Sequence, residues 1–147
     1  MSHSLTKIWI HGIFGTKERA SLIKPEYEHK LHNFIKEKLE TDLDCKVRII
    51  NGTTDHIHIL FLLTPNFCIK DIFKNIKGSS SHWINQNDFI YSKFAWQTGY
   101  GAFSVSESKL KDTESYIRNQ KEHHKKMSYA EEVELFMKKY GFKFTNR

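Results

Sequence analysis

The spacing of apolar side chains changes several times along this chain, and each change marks a predicted element. Segments with alternating or closely spaced apolar residues predict strands. These segments are 6–16, 45–50, 55–63, and 94–96 together with 100–105. Asn51-Gly52 marks a hairpin turn between the second and third strands. The last strand is interrupted at Gly99 and Gly101.

Apolar residues at intervals of three and four predict four helices. The first opens at Pro25, and the others cover 69–83, 107–125 and 129–140. Within the second, Gly78-Ser79-Ser80-Ser81 weakens the helical pattern, because glycine and serine disfavour helix interiors. Ser128-x-x-Glu131 is a capping box that opens the last helix, and Gly141 is its C-terminal stop.

The predicted order is strand, helix, strand, strand, helix, strand, and then two C-terminal helices. This β-α-β-β-α-β order is the ferredoxin-like, RRM-like pattern of the α+β class, with an antiparallel sheet, helices on one face and further helices at the C-terminus. In that topology the first and third strands are central. The length of 147 residues suits a single domain, 1–147, with a core of its own.

Charge adds a class of partner to this picture. The chain has 23 Lys and Arg against 17 Asp and Glu, a net charge of +6, which favours a polyanion such as nucleic acid. Cys45 and Cys68 stand singly and predict small core residues in a reducing compartment. The N-terminus lacks the apolar segment of a signal peptide, and the apolar run 57–63 is too short for a membrane span, so we expect a cytoplasmic protein.

The third predicted strand carries a pair of histidines. Because side chains alternate along a strand, His56 and His58 lie on one face about 7 Å apart, opposite Ile57. Two imidazoles in this relation are able to share a metal ion, although exposed or hydrogen-bonded strand histidines have the same pattern. On the first strand, His11 is either a further site residue or a buried, hydrogen-bonded core histidine.

The helix predicted over 107–125 carries an unusual stripe. Its members recur at intervals of three and four and are mostly polar: Thr113, Tyr116, Ile117, Gln120 and His124. A stripe that packs on a sheet is normally apolar, so these side chains suggest a site. The alternative is a tyrosine ring packed on the sheet and a surface amide.

Together these residues suggest a phosphoryl-transfer site. Two imidazoles and an amide carbonyl are neutral ligands, so a bound ion keeps its full charge and is able to polarise a phosphodiester. A tyrosine hydroxyl beside it could attack phosphorus and form a phosphotyrosine. Free tyrosine has a pKa of about 10, so the hydroxyl needs help to lose its proton. The covalent bond conserves energy for a later rejoining of strands.

The chain resembles the small single-tyrosine transposases of the HUH superfamily, which mobilise insertion sequences as single-stranded DNA. Four stretches carry the resemblance, in the family's order. They are the basic loop Thr16-Lys17-Glu18-Arg19, the His56-Ile57-His58 motif, the run 96–106, and Tyr116-Ile117-Arg118-Asn119-Gln120 with the following Lys121-Glu122-His123-His124-Lys125-Lys126.

The resemblance implies that Tyr116 cleaves single-stranded DNA, leaving a 5′-phosphotyrosine and a free 3′-hydroxyl. It implies Mg²⁺ or Mn²⁺ held by His56, His58 and Gln120, in the cytoplasm of a prokaryotic cell. It further implies recognition of a DNA hairpin, and a homodimer in which Tyr116 serves either the metal site of its own subunit or that of the other. Asp55 either orients a histidine or is a turn residue.

Contacts to DNA are predicted from charge and from the basic loop. They are Lys17, Arg19, Lys74 and Lys77. Four other functions remain open at this stage. The chain could be a non-catalytic module that binds single-stranded nucleic acid, since RNA-recognition domains share this topology and 99–103 echoes their aromatic motif. It could also be a water-using phosphodiesterase, an inactive descendant that binds DNA, or a domesticated relative that acts on genomic repeats.

Overall fold

The computed structural model describes residues 4–142, which form an antiparallel sheet of four strands. The strands are β1 (Trp9–Gly15), β2 (Val47–Gly52), β3 (His56–Leu62) and β4 (Gly101–Val105). Their order in the sheet is β2-β3-β1-β4, so the first and third strands are central, and the ferredoxin-like prediction is confirmed. The histidine strand therefore lies in the middle of the sheet.

Five α-helices within residues 4–142 accompany the sheet. They are α1 (Glu28–Glu37), α2 (Ile69–Gln86), α3 (Leu110–Arg118), α4 (Gln120–His123) and α5 (Tyr129–Lys139). A π-helical turn, Lys38–Asp42, prolongs α1. Short 3₁₀ turns at Lys17–Arg19 and Glu107–Lys109 follow β1 and precede α3. Among the described residues, no helix combines the length and the apolar character needed to cross a membrane.

The alternation along β3 directs its side chains into two separate layers. Ile57, Ile59 and Phe61 are fully buried in the core that α1 and α2 form with one face of the sheet. Burying each such side chain contributes about 2 kcal/mol of transfer free energy. A slip of one residue would move all of them to the other face, so this core fixes the register that sends His56 and His58 to the opposite side.

The second face of the sheet is covered by the C-terminal helices. Leu60 of β3 and Trp9 of β1 pack with Leu110 and Ile117 of α3. Nearer β4, Phe136 of α5 joins Ile13 and Phe103 in a second cluster. These two clusters leave the space between α3 and α5 for the polar side chains of β3.

One local prediction is confirmed and two are wrong in part. As predicted, the helix α2 continues through Gly78, where the serine hydroxyls bond to helix carbonyls and Ser80 Oγ also accepts a bond from the indole of Trp96 at 3.0 Å. Residues 94–96 lie outside β4 and contribute one isolated bridge between Thr16 and Trp96. Cys45 is buried as predicted, whereas Cys68 is exposed at the start of α2 and is not a core residue.

Candidate active site

His56 and His58 have no exposed surface, although both are polar. Asp55 Oδ1 lies 2.7 Å from His56 Nδ1, and Thr53 Oγ1 lies 2.9 Å from the same nitrogen. On His58 the corresponding partner is His11, whose Nε2 lies 2.7 Å from His58 Nδ1. Because the Nδ1 atoms are held from outside, both Nε2 atoms point toward the space beneath the C-terminal helices.

The outer partners settle two alternatives that the sequence left open. Asp55 does hydrogen-bond to a site histidine, so it orients His56 as well as lying in the turn. His11 is only 2% exposed and is bonded to His58, so it is a buried core histidine that also supports the site.

The tyrosine segment is bent, and the prediction of one continuous helix over 107–125 is wrong. The helix α3 ends at Arg118, Asn119 has φ −95° and ψ 18°, and α4 begins at Gln120. Asn51 of β2 donates hydrogen bonds of 3.0 Å to the carbonyls of Ile117 and Arg118, which fixes the end of α3 to the sheet. Gln120, directly after the bend, is buried, and its Oε1 lies 2.7 Å from His56 Nε2.

A fully buried carboxylate, Glu132 of α5, joins the parts of this site. Its Oε1 lies 2.9 Å from His58 Nε2, 3.4 Å from His56 Nε2 and 3.1 Å from His124 Nε2. Its Oε2 accepts hydrogen bonds from Gln120 Nε2 at 2.8 Å and from the hydroxyl of Tyr116. We call these residues, His56, His58, Tyr116, Gln120, His124 and Glu132, the buried polar cluster.

Sequence reasoning missed Glu132. It follows the capping box of α5 directly, and both bonds of that box, between Ser128 and Glu131, are present. An acidic residue in the first turn of a helix is stabilising by itself, so Glu132 carried no separate signal. Only the packing of α5 on β3 reveals it.

Burial and hydrogen bonding act in opposite directions on the charges in the cluster. Burial alone would lower the pKa of His56, but hydrogen bonds to Asp55, Glu132 and Gln120 outweigh it and raise the pKa to about 9. Burial lowers the pKa of His58 to about 4. Burial together with the carboxylate of Glu132 raises the pKa of Tyr116 above its ordinary value. The tyrosine of the cluster is therefore protonated when no metal is bound.

A large substrate can react at this cluster only if an opening in the structure leads to it. A cavity of about 760 Å³ reaches Tyr116 from one side, between β4, α3 and α5. Its lining includes His11, Ser104, Phe136 and Lys139. The half-buried ring of Tyr116 therefore lies between the cluster and open space.

Comparison with known proteins identifies the chain. A model of the family described as "Transposase IS200 like" matches residues 4–120, which include both histidines, Tyr116 and Gln120. The chain belongs to this family of IS200-like transposases. The predicted resemblance to HUH-superfamily transposases is thereby confirmed. The matched residues end at Gln120, so α5 and Glu132 lie beyond them.

Individual relatives agree with the family. The chain is similar to the ISDra2 transposase TnpA of Deinococcus radiodurans, with 24% identity over 115 residues that cover 75% of this chain and 81% of that protein. Its fold is similar to that of a protein from D. radiodurans R1 assigned as a transposase, with TM-score 0.63, 24% identity and coverage of 82% and 95%. It is also similar to a REP-associated tyrosine transposase bound to a REP hairpin, with TM-score 0.61, 14% identity and coverage of 84% and 74%.

The donor atoms in this IS200-like transposase are compatible with a metal ion. His56, His58 and Glu132 each offer a ligand atom, and these atoms lie within 4.8 Å of one another. Two imidazoles and a carboxylate form a common ligand set for divalent metals. The sequence predicted Gln120 as the third ligand, and its Oε1 also faces His56.

The four predicted DNA contacts lie in two places. Lys17 and Arg19 are exposed in the turn after β1, beside a cavity of about 960 Å³ whose lining includes Arg19 and Gln97. Lys77 donates bonds of 2.8 and 2.6 Å to the carbonyls of Gln97 and Gly99, so it holds the loop before β4. Lys74 is exposed on α2, on the other side of the sheet from the buried polar cluster.

Proposed function

We propose that this protein is a metal-dependent tyrosine transposase that cleaves and rejoins single-stranded DNA through a 5′-phosphotyrosine. The observation that carries the proposal is the convergence of a tyrosine hydroxyl and two histidine nitrogens on one buried carboxylate. A nucleophile and a set of metal donors within hydrogen-bonding reach of a common group suit phosphoryl transfer. Family membership supports the same conclusion.

In the proposed reaction, Tyr116 is the nucleophile. Its oxygen forms a bond to phosphorus, the bond from phosphorus to the 3′-oxygen breaks, and the tyrosine proton passes to that 3′-oxygen. The products are a 5′-phosphotyrosine and a free 3′-hydroxyl. Attack of a 3′-hydroxyl on the phosphotyrosine reverses the same bonds, so strands are rejoined without an external energy source.

The other cluster residues orient this chemistry. His56 and His58, held by Asp55 and His11, would hold Mg²⁺ or Mn²⁺, with the Gln120 carbonyl as the third ligand predicted from the sequence. When bound, the ion would supply positive charge that stabilises the phosphate oxygens and favours the ionised tyrosine. Without it, Glu132 opposes ionisation of Tyr116.

The proposed substrate is DNA with a hairpin near the cleavage position. A net charge of +6 supports a polyanionic partner, and one structural neighbour is described as bound to a REP hairpin. We propose that Lys17 and Arg19 bind phosphates beside the cavity at the end of β1. Lys77, whose ammonium is engaged by two carbonyls, would act by shaping that cavity, and Lys74 would contact only a strand that wraps around α2.

We propose that each chain uses its own tyrosine, because the Tyr116 hydroxyl bonds to Glu132, which also contacts both histidines of the same chain. A homodimer remains a prediction, since two complete sites are able to coexist in one. Mixing Tyr116→Phe with His56→Ala protein distinguishes the arrangements. If tyrosines act within their own chain, the mixture stays inactive. If they act across a dimer, pre-mixed and refolded chains regain cleavage, which would contradict the arrangement within one chain.

The proposal as a whole is tested by incubating the protein with labelled single-stranded DNA that carries the flanks of its own gene. With Mn²⁺ we expect a protein band bound to DNA on a denaturing gel, and with chelator we expect that band to disappear. Cleaved DNA without the band, under conditions that block rejoining, would favour a water-using phosphodiesterase. Binding without cleavage of any hairpin substrate would favour a non-catalytic module or an inactive descendant. Cleavage of genomic repeats alone would favour a domesticated relative.

A further inference from the structure

A fully buried carboxylate needs charged or hydrogen-bonding partners, and Glu132 is fully buried. Three imidazole nitrogens surround one of its oxygens, at 2.9, 3.1 and 3.4 Å. One carboxylate oxygen has two lone pairs, so it cannot accept hydrogen bonds from all three nitrogens with good geometry. A metal ion in the centre would replace the protons of these nitrogens and use the same donor atoms.

The distances within the cluster agree with a metal ion in place of these protons. An octahedral ion with bonds of 2.0–2.1 Å keeps neighbouring ligand atoms about 3 Å apart. Glu132 Oε1 lies 2.9 Å from His58 Nε2 and 3.4 Å from His56 Nε2. Gln120 Oε1 lies 2.7 Å from His56 Nε2. These three separations have the length of octahedral edges.

We propose that Glu132 of α5 is a direct ligand of the metal ion, together with His56 and His58. This assignment rests on the proposed function and adds a charged ligand to it. The family match ends at Gln120, so the ligand comes from a part of the chain outside the matched residues. Gln120, whose Nε2 donates to Glu132 Oε2, positions the carboxylate and offers its own oxygen at the edge of the site.

The two imidazole ligands determine which ion this set prefers. Two imidazole nitrogens are softer donors than water or carboxylate oxygen, and Mg²⁺ prefers oxygen and keeps several waters. The set of two histidines and one glutamate therefore favours Mn²⁺ over Mg²⁺. Because the second oxygen of Glu132 accepts the Tyr116 hydroxyl, the same carboxylate connects the metal site to the nucleophile.

The test is the affinity of the full chain for Mn²⁺, measured by titration calorimetry and by the electron paramagnetic resonance signal of free Mn²⁺. The near-isosteric change Glu132→Gln should weaken Mn²⁺ binding at least about tenfold, since even partners of ligands contribute factors of that size. The rise in melting temperature that Mn²⁺ causes should be smaller in Glu132→Gln than in wild type. Glu134→Gln, an exposed position on the same helix, should leave both unchanged.

A second measurement needs no variant. In wild-type protein labelled with ¹³C-glutamate and loaded with Mn²⁺, electron–nuclear double resonance should show a carboxylate carbon coupled to the ion. Affinity within twofold of wild type in Glu132→Gln, or no such coupling, would overturn the assignment. The same samples are run in the covalent-adduct gel. If Glu132→Gln binds Mn²⁺ with wild-type affinity and still forms the adduct, Glu132 is not a ligand and the proposed function stands.

Discussion

Tyr116→Phe should lower the rate of DNA cleavage by at least about a thousandfold while single-stranded DNA still binds, because the change removes only the nucleophilic oxygen. The ring of Tyr116 packs edge-on against Phe136 and stacks at 4.7 Å on His123, and phenylalanine keeps these contacts. The fold should therefore persist. Cleavage is measured as the rate of covalent adduct formation, and binding as a gel shift in chelator.

The matched control for this change is Tyr129→Phe. The ring of Tyr129 stacks on His56 with centroids 4.4 Å apart, but the tyrosine hydroxyl that bonds to Glu132 is that of Tyr116. Loss of the Tyr129 hydroxyl should leave adduct formation close to wild type. An adduct that survives Tyr116→Phe and disappears in Tyr129→Phe would show that Tyr129, and not Tyr116, is the nucleophile. Full cleavage by Tyr116→Phe without adduct would indicate a hydrolase.

The histidine pair illustrates what a strand pattern is able to predict. Alternation places His56 and His58 on one face whatever the sheet contains, and the apolar run of Ile57, Ile59 and Phe61 determines which face meets the core. The topology then follows from the order of elements, because the third strand of this pattern is central. These features depend on neighbours in sequence, so sequence alone predicts them.

The rest of the site depends on contacts between distant segments. No Gly or Pro marks the end of α3, and the bend at Asn119 is fixed from β2 by the side chain of Asn51. Glu132 resembles any acid in the first turn of a helix until α5 packs over β3. Sequence spacing consequently predicts Tyr116 and Gln120 as neighbours but misses the carboxylate that joins them to the histidines.

Smaller features show where local propensity and structure differ. Gly78 lies in the interior of α2, yet the buried side chains Ile76, Ser80 and Ile84 hold both ends of that region to the core. Tertiary packing therefore outweighs the unfavourable helix propensity of about 1 kcal/mol for glycine. Cys68 has apolar sequence neighbours but precedes the helix, where its side chain faces solvent.

His56→Ala should abolish the metal-dependent adduct, with a loss of at least about a thousandfold, because it removes one of two imidazole donors. It should also remove the rise in melting temperature that Mn²⁺ gives the wild type. In chelator the variant should be about 1–3 kcal/mol less stable than wild type, since Asp55 and Gln120 lose a hydrogen-bond partner and Glu132 loses an ion-pair partner in a buried setting. His82→Ala, at an exposed position on α2, is the control for loss of a histidine.

The two effects of His56→Ala are separable by temperature and metal. If the loss of cleavage came only from unfolding, cooling well below the melting temperature of the variant would restore cleavage. The DNA-binding affinity would recover in parallel. A defect in metal binding persists on cooling, and high Mn²⁺ concentration relieves it in part because His58 and Glu132 still offer donors. Cleavage by His56→Ala at the wild-type rate in chelator would show that the reaction needs no ion. Tyr116 would then have to ionise beside Glu132 with only neighbouring side chains to assist it, against the raised pKa of its hydroxyl.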